Sequence, residues 1–299
     1  MLPIRTLEDL LCIAADVVPG LCAAVMAPRP CCAPCAERPD LSAYAAAETG
    51  PETVAEAAAM ASVYEHPPRC DGNRAAINAL LDHWVTAYPE AGRAYWSLRC
   101  WGILIWQPIY LSVIAVHATQ RVLSLDNFTQ SIESGWTRTI GIADHAPLHA
   151  EDSRLITLAA QQIDACCAHI FRELSPVIRI NCHAARCMHA DCVLAALLAV
   201  RTRYAHLTDT QCEARGKDWL TALSLVGRGG FFAYTCTDGS NALALDRQTC
   251  CYHYRRHDGE LCSTCPRLDK RERIVRLNAT RDAARDTALS ATQDATQRI

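Results

Sequence analysis

The stretch GRGGFFAYTCTDGSNALALDRQTCCYHYRRHDGELCSTCP, residues 227–266, differs sharply from the helical sequence that precedes it. Two short runs, 231–235 and 242–245, favour strands, and the Asp-Gly-Ser-Asn segment between them is typical of a hairpin turn. The predicted hairpin leads into two adjacent cysteines, which a ten-residue spacer separates from a Cys-x-x-Cys pair. The stretch therefore predicts a small hairpin and loop unit that carries a cysteine quartet. The quartet consists of Cys250, Cys251, Cys262 and Cys265.

The composition of the chain limits the roles that these thiols can have. The 299 residues include 18 cysteines, but the chain is long and alanine-rich, unlike a small disulfide-rich secreted domain. Its apolar start is interrupted by Glu8, Asp9 and Asp16, where a signal peptide would be uncharged. We therefore expect a cytoplasmic protein in which scattered cysteines pack as small core residues. A net charge of -3 provides no overall basic field, which argues against nucleic acid as a partner.

The rest of the chain is patterned as helices, so the predicted fold class is mainly α, with a small C-terminal β-hairpin and loop unit. Helices are predicted over 7–25, 51–66, 73–88, 96–123, 153–174, 183–207 and from Thr208 or Asp209 to near Gly227. The predicted organisation is a helical substrate-binding region (1–225), a cofactor-binding unit (226–270) and a charged tail (271–299) that is partly helical. The very apolar segment 101–118 predicts a buried central helix, and peripheral membrane contact is the weaker alternative.

The spacing of the quartet favours a centre with more than one metal ion. Thiolates bind zinc in tetrahedral sites and iron in iron-sulfur clusters. Adjacent cysteines grip a single zinc ion poorly because successive side chains diverge, whereas a [2Fe-2S] core needs two thiolates at each iron. One hypothesis gives Cys250 and Cys251 to one iron and Cys262 and Cys265 to the other. A zinc site and a metal-free loop remain open on the residues alone.

Cations and aromatic residues lie between the cysteines of the quartet. The cationic or titratable side chains are Arg247, His253, Arg255, Arg256 and His257. They can tune the potential of a metal centre and dock an acidic partner, or they can form a solvated basic loop. Arg247 and Arg255 are the favoured candidates for tuning or docking because they lie close to the predicted ligands. The tyrosines at 252 and 254 have no assignable role.

Other cysteine clusters are better explained by packing. The proline-rich loop with Cys31, Cys32 and Cys35 lacks a fourth ligand nearby. The segment NCHAARCMHADC, residues 181–192, offers three cysteines and two histidines, but helical residues five apart do not share a face. We therefore assign it, and the pair Cys166 and Cys167, to the core. No Ser-His-Asp order, phosphate-binding glycine loop or HExxH motif is present.

Residues 245–267, LDRQTCCYHYRRHDGELCSTCPR, resemble the C-terminal signature of the FhuF-type ferric siderophore reductases. They look closest to the branch called siderophore ferric iron reductases. The resemblance extends back to WLTALSL at 219–225 and, more loosely, to the aromatic-rich segment 95–117. It implies a [2Fe-2S] cluster held by all four members of the quartet, with no catalytic residue needed beyond the cluster.

The implied function is that of an oxidoreductase acting on metal ions, which reduces a cytoplasmic Fe(III)-siderophore by one electron and releases Fe(II). Siderophore oxygen donors hold Fe(II) far less tightly than Fe(III), so release follows reduction. Since the chain has no flavin or nicotinamide fingerprint, the electron must come from an external ferredoxin or reductase. The alternatives are a [2Fe-2S] protein that senses iron or redox state, and a structural zinc protein. Contact with the inner membrane is a further, weaker expectation.

The aromatic-rich central segment offers candidates for a substrate pocket. They are Trp101, Trp106, Gln107 and Tyr110. Core packing is the favoured interpretation of all four, because a large aromatic side chain in an apolar helix is usually buried against other helices.

Overall fold

The computed structural model describes residues 6–26, 62–68, 72–204 and 207–296, and its fold is mainly α, as predicted. Seven α-helices lie in these parts of the chain: α1 Leu7–Val17, α2 Gly72–Ala87, α3 Gly92–Ile114, α4 Asp152–Leu174, α5 Cys182–Arg203, α6 Asp209–Ala222 and α7 Lys270–Thr296. The strands are β1 Cys22–Met26, β2 Ser62–His66, β3 Arg121–Val122, β4 Phe128–Glu133, β5 Trp136–Ala143, β6 Leu148–His149, β7 Phe231–Thr235 and β8 Asn241–Leu245.

Helix α3 is the centre of the core, as the apolar sequence predicts. Most of its side chains are buried, and the indole nitrogen of Trp101 donates a hydrogen bond to the carbonyl of Ala185 on α5 at 2.9 Å. The helix continues as a π-helical turn over Ala115–Thr119 and ends at Gln120, which has a left-handed backbone. The prediction of helix to residue 123 is therefore wrong at its end, where the chain enters β3.

Two helical segments of the described residues, Pro89–Thr119 and Cys182–Arg203, have the length and hydropathy of membrane spans. In the structure, 78% and 61% of their most apolar windows are buried inside the fold. Such burial is the pattern of core helices, and length and composition alone are weak grounds for a span.

A four-stranded sheet in the order β1-β5-β4-β2 is the main feature that the sequence analysis missed. Strand β1 runs parallel to β5, and the β4–β5 and β2–β4 pairs are antiparallel. The helix predicted over 7–25 is wrong beyond Val17, because Pro19 and a positive-φ Gly20 end it before β1. The helix predicted over 51–66 is wrong at Ser62–His66, which form β2, and its earlier part lies outside the described residues.

A buried amide pair joins this sheet to α3. Gln107 donates from its side-chain nitrogen to the carbonyl of Arg138 at 3.1 Å, and its side-chain oxygen accepts from Gln130 at 2.9 Å. Both glutamines are fully buried, so these hydrogen bonds satisfy groups that would otherwise be costly to remove from water. The pair fixes α3 against the sheet.

The second half of the fold follows the sequence more closely. Helices α4 and α5 match their predicted ranges within a few residues, and α6 begins at the predicted cap, where Thr208 and Gln211 form a capping box. Helix α6 ends at Ala222 rather than near Gly227. The predicted hairpin forms from β7 and β8, and its turn is closed by a hydrogen bond from the Ser240 amide to the Asp238 carboxylate at 3.0 Å.

The tail forms helix α7, and the hairpin packs against both α7 and the main core. Phe231 and Leu245 contact the main core, whereas Phe232 packs in a small cluster with Ile274 and Leu277 of α7. Asp246, just after β8, forms an ion pair with Arg273 at 3.0 Å. The loop with Cys31, Cys32 and Cys35 lies outside the described residues.

Candidate metal centre

The fold brings the four cysteines of the quartet together in the loop after β8. The Sγ atoms of Cys250 and Cys265 are 3.9 Å apart, and Cys251 and Cys262 form a second hydrogen-bonded pair. Cys265 is buried and the other three are partly buried. The contacts therefore pair the first cysteine with the last and the second with the third, unlike the hypothesis that paired the adjacent cysteines.

Local backbone geometry sets these positions. Tyr252 has a left-handed backbone, with φ of 59°, and its amide donates a hydrogen bond to the Sγ of Cys250 at 3.3 Å. After the short 3-10 turn at His253–Arg255, the chain folds back at Gly259. A Cβ at Gly259 would lie 2.1 Å from the carbonyl oxygen of His253, so the return requires glycine. A turn with a 2.9 Å bond from the Cys265 amide to the Cys262 carbonyl completes the loop.

Arg247 connects the quartet to the helical core. Its Nη1 lies 3.5 Å from the Sγ of Cys262 and 3.9 Å from that of Cys251, and its Nε donates to the carboxylate of Asp191 at 2.8 Å. The Arg247 and Asp191 side chains are only 12% and 8% exposed, so water screens this pair weakly. The predicted role of Arg247 beside the quartet thus has a direct geometric basis. Asp191, on α5, was not singled out in the sequence, although an aspartate on the buried face of an alanine-rich helix is a signal that could have found it.

The electrostatics of the Cys251 and Cys262 pair favour a thiolate. The hydrogen bond from Cys262 lowers the pKa of the Cys251 thiol to about 4, and the positive charge of Arg247 acts in the same direction. Because the two thiols share a proton, the pKa of Cys262 is raised in turn. Burial raises the pKa of Asp191 to about 6, against the opposing effect of Arg247. One thiolate is therefore available near neutral pH, as a metal ligand must be.

The donor set fits a two-metal centre better than a single ion. Among the residues that the structure describes, no three His, Cys, Asp or Glu side chains are grouped so as to hold one metal ion. Two sulfurs on one tetrahedral metal lie about 3.8 Å apart when each metal–sulfur bond is about 2.3 Å, and the Cys250–Cys265 separation of 3.9 Å matches this edge. Together with the hydrogen-bonded Cys251 and Cys262, this pair supplies the four thiolates that a binuclear iron-sulfur cluster takes.

These observations define the class of the protein: a helical fold that carries a cysteine quartet, with the donor set of an iron-sulfur cluster, on a C-terminal hairpin and loop. Residues 247–267 match the family model described as FhuF 2Fe-2S C-terminal domain. The match covers 21 residues, which include the whole quartet and Arg247, and it confirms the resemblance to the FhuF-type siderophore reductase family. The cofactor of this domain is a [2Fe-2S] cluster, and its role relates to siderophore iron.

A cavity of about 580 Å³ opens beside the quartet, and we call it the apolar cavity. Its walls are mainly apolar and aromatic, and they include Leu98, Trp106, Tyr110, Met188, Cys251 and Cys262. Of the four pocket candidates from the sequence, Trp106 and Tyr110 line this cavity. The other two, Trp101 and Gln107, are buried in the core and bonded to Ala185 and to the sheet, as the packing interpretation predicts.

Arg99 and Trp136 also line the apolar cavity and were missed in the sequence. The Arg99 guanidinium lies 4.1 Å from the ring centroid of Trp136 and 4.5 Å from that of Trp84. These residues come from α3, β5 and α2, so a linear motif could not have revealed them. Their stacking places a partly buried positive charge in the cavity wall.

Among the remaining candidates from the loop, His253 lines the apolar cavity and its backbone amide donates a hydrogen bond to the Cys251 sulfur, whereas the others have different partners. Arg255 is exposed and stacks on the ring of Tyr252 at 4.7 Å, whereas Arg256 pairs with Asp258 at 2.6 Å. His257 pairs with Glu90 at 3.0 Å. Arg255 is therefore positioned for surface interactions and Arg247 for direct contact with the predicted ligands.

The cysteines and histidines of 181–192 are distributed between the surface and the core. Cys187 and His189 are buried, and His189 contacts the sulfur of Cys167 at 3.7 Å. Cys182 and His183 are exposed at the start of α5. The packing interpretation is confirmed for Cys187 and His189 and is wrong for Cys182 and His183, which lie on the surface.

Proposed function

We propose that this protein catalyses the one-electron reduction of a cytoplasmic Fe(III)-siderophore and so releases Fe(II), with Cys250, Cys251, Cys262 and Cys265 as ligands of its [2Fe-2S] cluster. The observation that carries the proposal is the apolar cavity, whose wall includes two of these four cysteines. When bound, the cluster supplies single electrons, which is the change that an Fe(III) chelate requires.

The size and lining of the apolar cavity suit part of a large organic chelate. Ligand cavities commonly measure about 300–1,000 Å³ and combine apolar walls with few polar groups, and the volume of about 580 Å³ lies within this range. Trp106 and Tyr110 offer flat apolar surfaces to the organic backbone of the chelate. A chelate seated there would lie against Cys251 and Cys262, which are part of the same wall.

Three charged groups, Arg99, Arg247 and Asp191, line the cavity and can contact polar groups of a chelate. Two indole rings hold Arg99 in place, and Asp191 holds Arg247. Arg247 also lies against the sulfurs of the quartet, where a positive charge favours added negative charge. The Oδ1 atom of Asp191 is buried without a hydrogen-bond partner, so it can accept one from an amide of the chelate.

The experiment that tests this function uses the full chain with its cluster, purified without oxygen. The cluster is reduced chemically, a ferric hydroxamate chelate and a ferrous trap are added, and the visible spectrum is followed. We expect the cluster absorption to bleach on reduction and to return as one trapped Fe(II) appears per cluster. A colourless protein with bound zinc, or a cluster that never transfers its electron to chelates, would refute the proposal in favour of a structural or a sensing protein.

A matched pair of variants tests the cavity itself. Gly102 lines the apolar cavity, and a Cβ there would meet only the flexible end of Met188, at 3.0 Å. We expect Gly102→Leu to raise the KM for the chelate at least tenfold and to leave the cluster spectrum unchanged. The control Ala214→Leu adds the same side chain on an exposed face of α6 and should leave KM unchanged.

A further inference from the structure

A second cavity lies against the cysteine loop at Thr249 and Tyr252, and we call it the basic cavity. It measures about 720 Å³ and shares only Leu98 with the apolar cavity. Its lining includes Arg93, Arg179 and His183, together with Thr249 and Tyr252. No carboxylate is among the residues that line it.

The two arginines of this cavity have charges that nothing nearby neutralises. Arg93 and Arg179 are exposed, and neither has an ion pair within the part of the chain that the structure describes. Arg255, stacked on Tyr252, adds a third exposed positive charge at the same place. These charges stand out because the whole chain has a net charge of -3. Local positive potential of this kind steers an acidic partner toward one face of a protein.

The basic cavity reaches the quartet through one residue. Thr249 and Tyr252 line the cavity and flank the adjacent cysteines in sequence. The amide of Tyr252 donates a hydrogen bond to the Sγ of Cys250 at 3.3 Å, so Tyr252 connects the cavity to this sulfur. The apolar cavity, by contrast, is lined by Cys251 and Cys262. The apolar cavity therefore adjoins Cys251 and Cys262 directly, whereas the basic cavity approaches Cys250 through Tyr252.

We infer that the basic cavity, with Arg93, Arg179 and Arg255, is the docking surface for an acidic one-electron carrier protein of the ferredoxin class. The reduced carrier loses one electron there and the cluster gains one, with no bond broken and no proton transferred. The inference rests on the proposed function for the direction of this transfer. It separates the two reactions in space, since the carrier docks beside Cys250 and the chelate binds beside Cys251 and Cys262.

The test uses the cluster-loaded full chain without any siderophore. It is mixed rapidly with a reduced, acidic plant-type ferredoxin, and the bleaching of its cluster gives a second-order rate constant. We expect Arg93→Glu/Arg179→Glu to lower this rate constant at least tenfold at low salt, and the wild-type rate to fall as salt is raised. The control Arg215→Glu/Lys217→Glu makes the same total charge change on α6, at cavities that share no residue with the basic cavity, and should have little effect.

Two further measurements complete the test. Calorimetric titration with oxidised ferredoxin should show at least tenfold weaker binding to the double variant, which is a readout independent of electron transfer. Photoreduced deazaflavin, a small reductant, should reduce both proteins equally, and both should then reduce a ferric hydroxamate equally. Equal rates with ferredoxin would overturn the inference, and so would loss of chelate reduction in the double variant, because the basic cavity would then hold the chelate. If ferredoxin docking depends on the arginines but no Fe(II) appears, the proposed function fails while the docking surface stands.

Discussion

Replacing Arg247 with Gln should lower the midpoint potential of the cluster. Reduction adds one negative charge to the centre, and the Arg247 guanidinium, 3.5 Å from the Cys262 sulfur, stabilises that charge. Two unit charges 4 Å apart interact by about 4 kcal/mol at an effective dielectric constant of about 20. Since the added charge spreads over the whole cluster, we take half of this interaction energy, or about 2 kcal/mol. Its loss corresponds to a fall in the midpoint potential of roughly 90 mV for one electron.

Replacing Asp191 with Asn should shift the potential in the opposite direction. The carboxylate contacts Arg247 at 2.8 Å and offsets part of its charge, but it lies one guanidinium group farther from the sulfurs. At twice the distance the Coulomb energy halves, so we expect a rise of about 40 mV. Opposite shifts in the two variants distinguish an electrostatic role from a general loosening of the site.

The assay is an anaerobic redox titration of the loaded full chain, followed by visible absorption at pH 8. This pH keeps Asp191 ionised, because burial raises its pKa only to about 6. Removing one member of a buried pair can cost about 3–5 kcal/mol of stability, so the double variant Arg247→Gln/Asp191→Asn provides a folded comparison. A cluster that forms in Arg247→Gln with a potential within about 20 mV of wild type, a roughly twofold change in equilibrium, would refute the reasoning.

Three further predictions concern the loop and the core. Cys262→Ser should abolish the visible bands of the cluster, because it removes a soft thiolate ligand, whereas Cys12→Ser on exposed α1 should leave them intact. Gly259→Ala should reduce cluster occupancy in iron and sulfide analysis, because its Cβ would lie 2.1 Å from the His253 carbonyl; full occupancy would contradict the need for glycine. Burial lowers the pKa of His117 to about 4, so protonation favours the unfolded chain. The stabilisation from neutral His117 is complete above pH 6.5 and is lost toward pH 4, by up to about 3 kcal/mol. In urea unfolding, the free energy of unfolding of His117→Gln should therefore depend less on pH than that of the wild type. An equal pH dependence in the two proteins would exclude this contribution.

The sequence by itself determined the features that depend on neighbouring residues. The hairpin, its turn and the four cysteines lie within 227–266, and the cap of α6 at Thr208 is a local hydrogen-bonding pattern. Helices α4 and α5 were predictable because a helix bonds each residue to one four positions away. The apolar run of α3 indicated a buried helix for the same reason.

Only the tertiary structure decided the features that join distant segments. Strand β1 has a short apolar sequence that fits the end of a helix, and it becomes a strand because β5 supplies its hydrogen-bond partners. Arg247 and Asp191 are 56 residues apart, and nothing local to either predicts their ion pair. The two cavities follow from the packing of α3 and α5 against the cysteine loop. Local sequence thus specified which cysteines are present, whereas long-range packing placed Cys251 and Cys262 in the wall of the apolar cavity, because packing energies depend on residues that meet only in the folded chain.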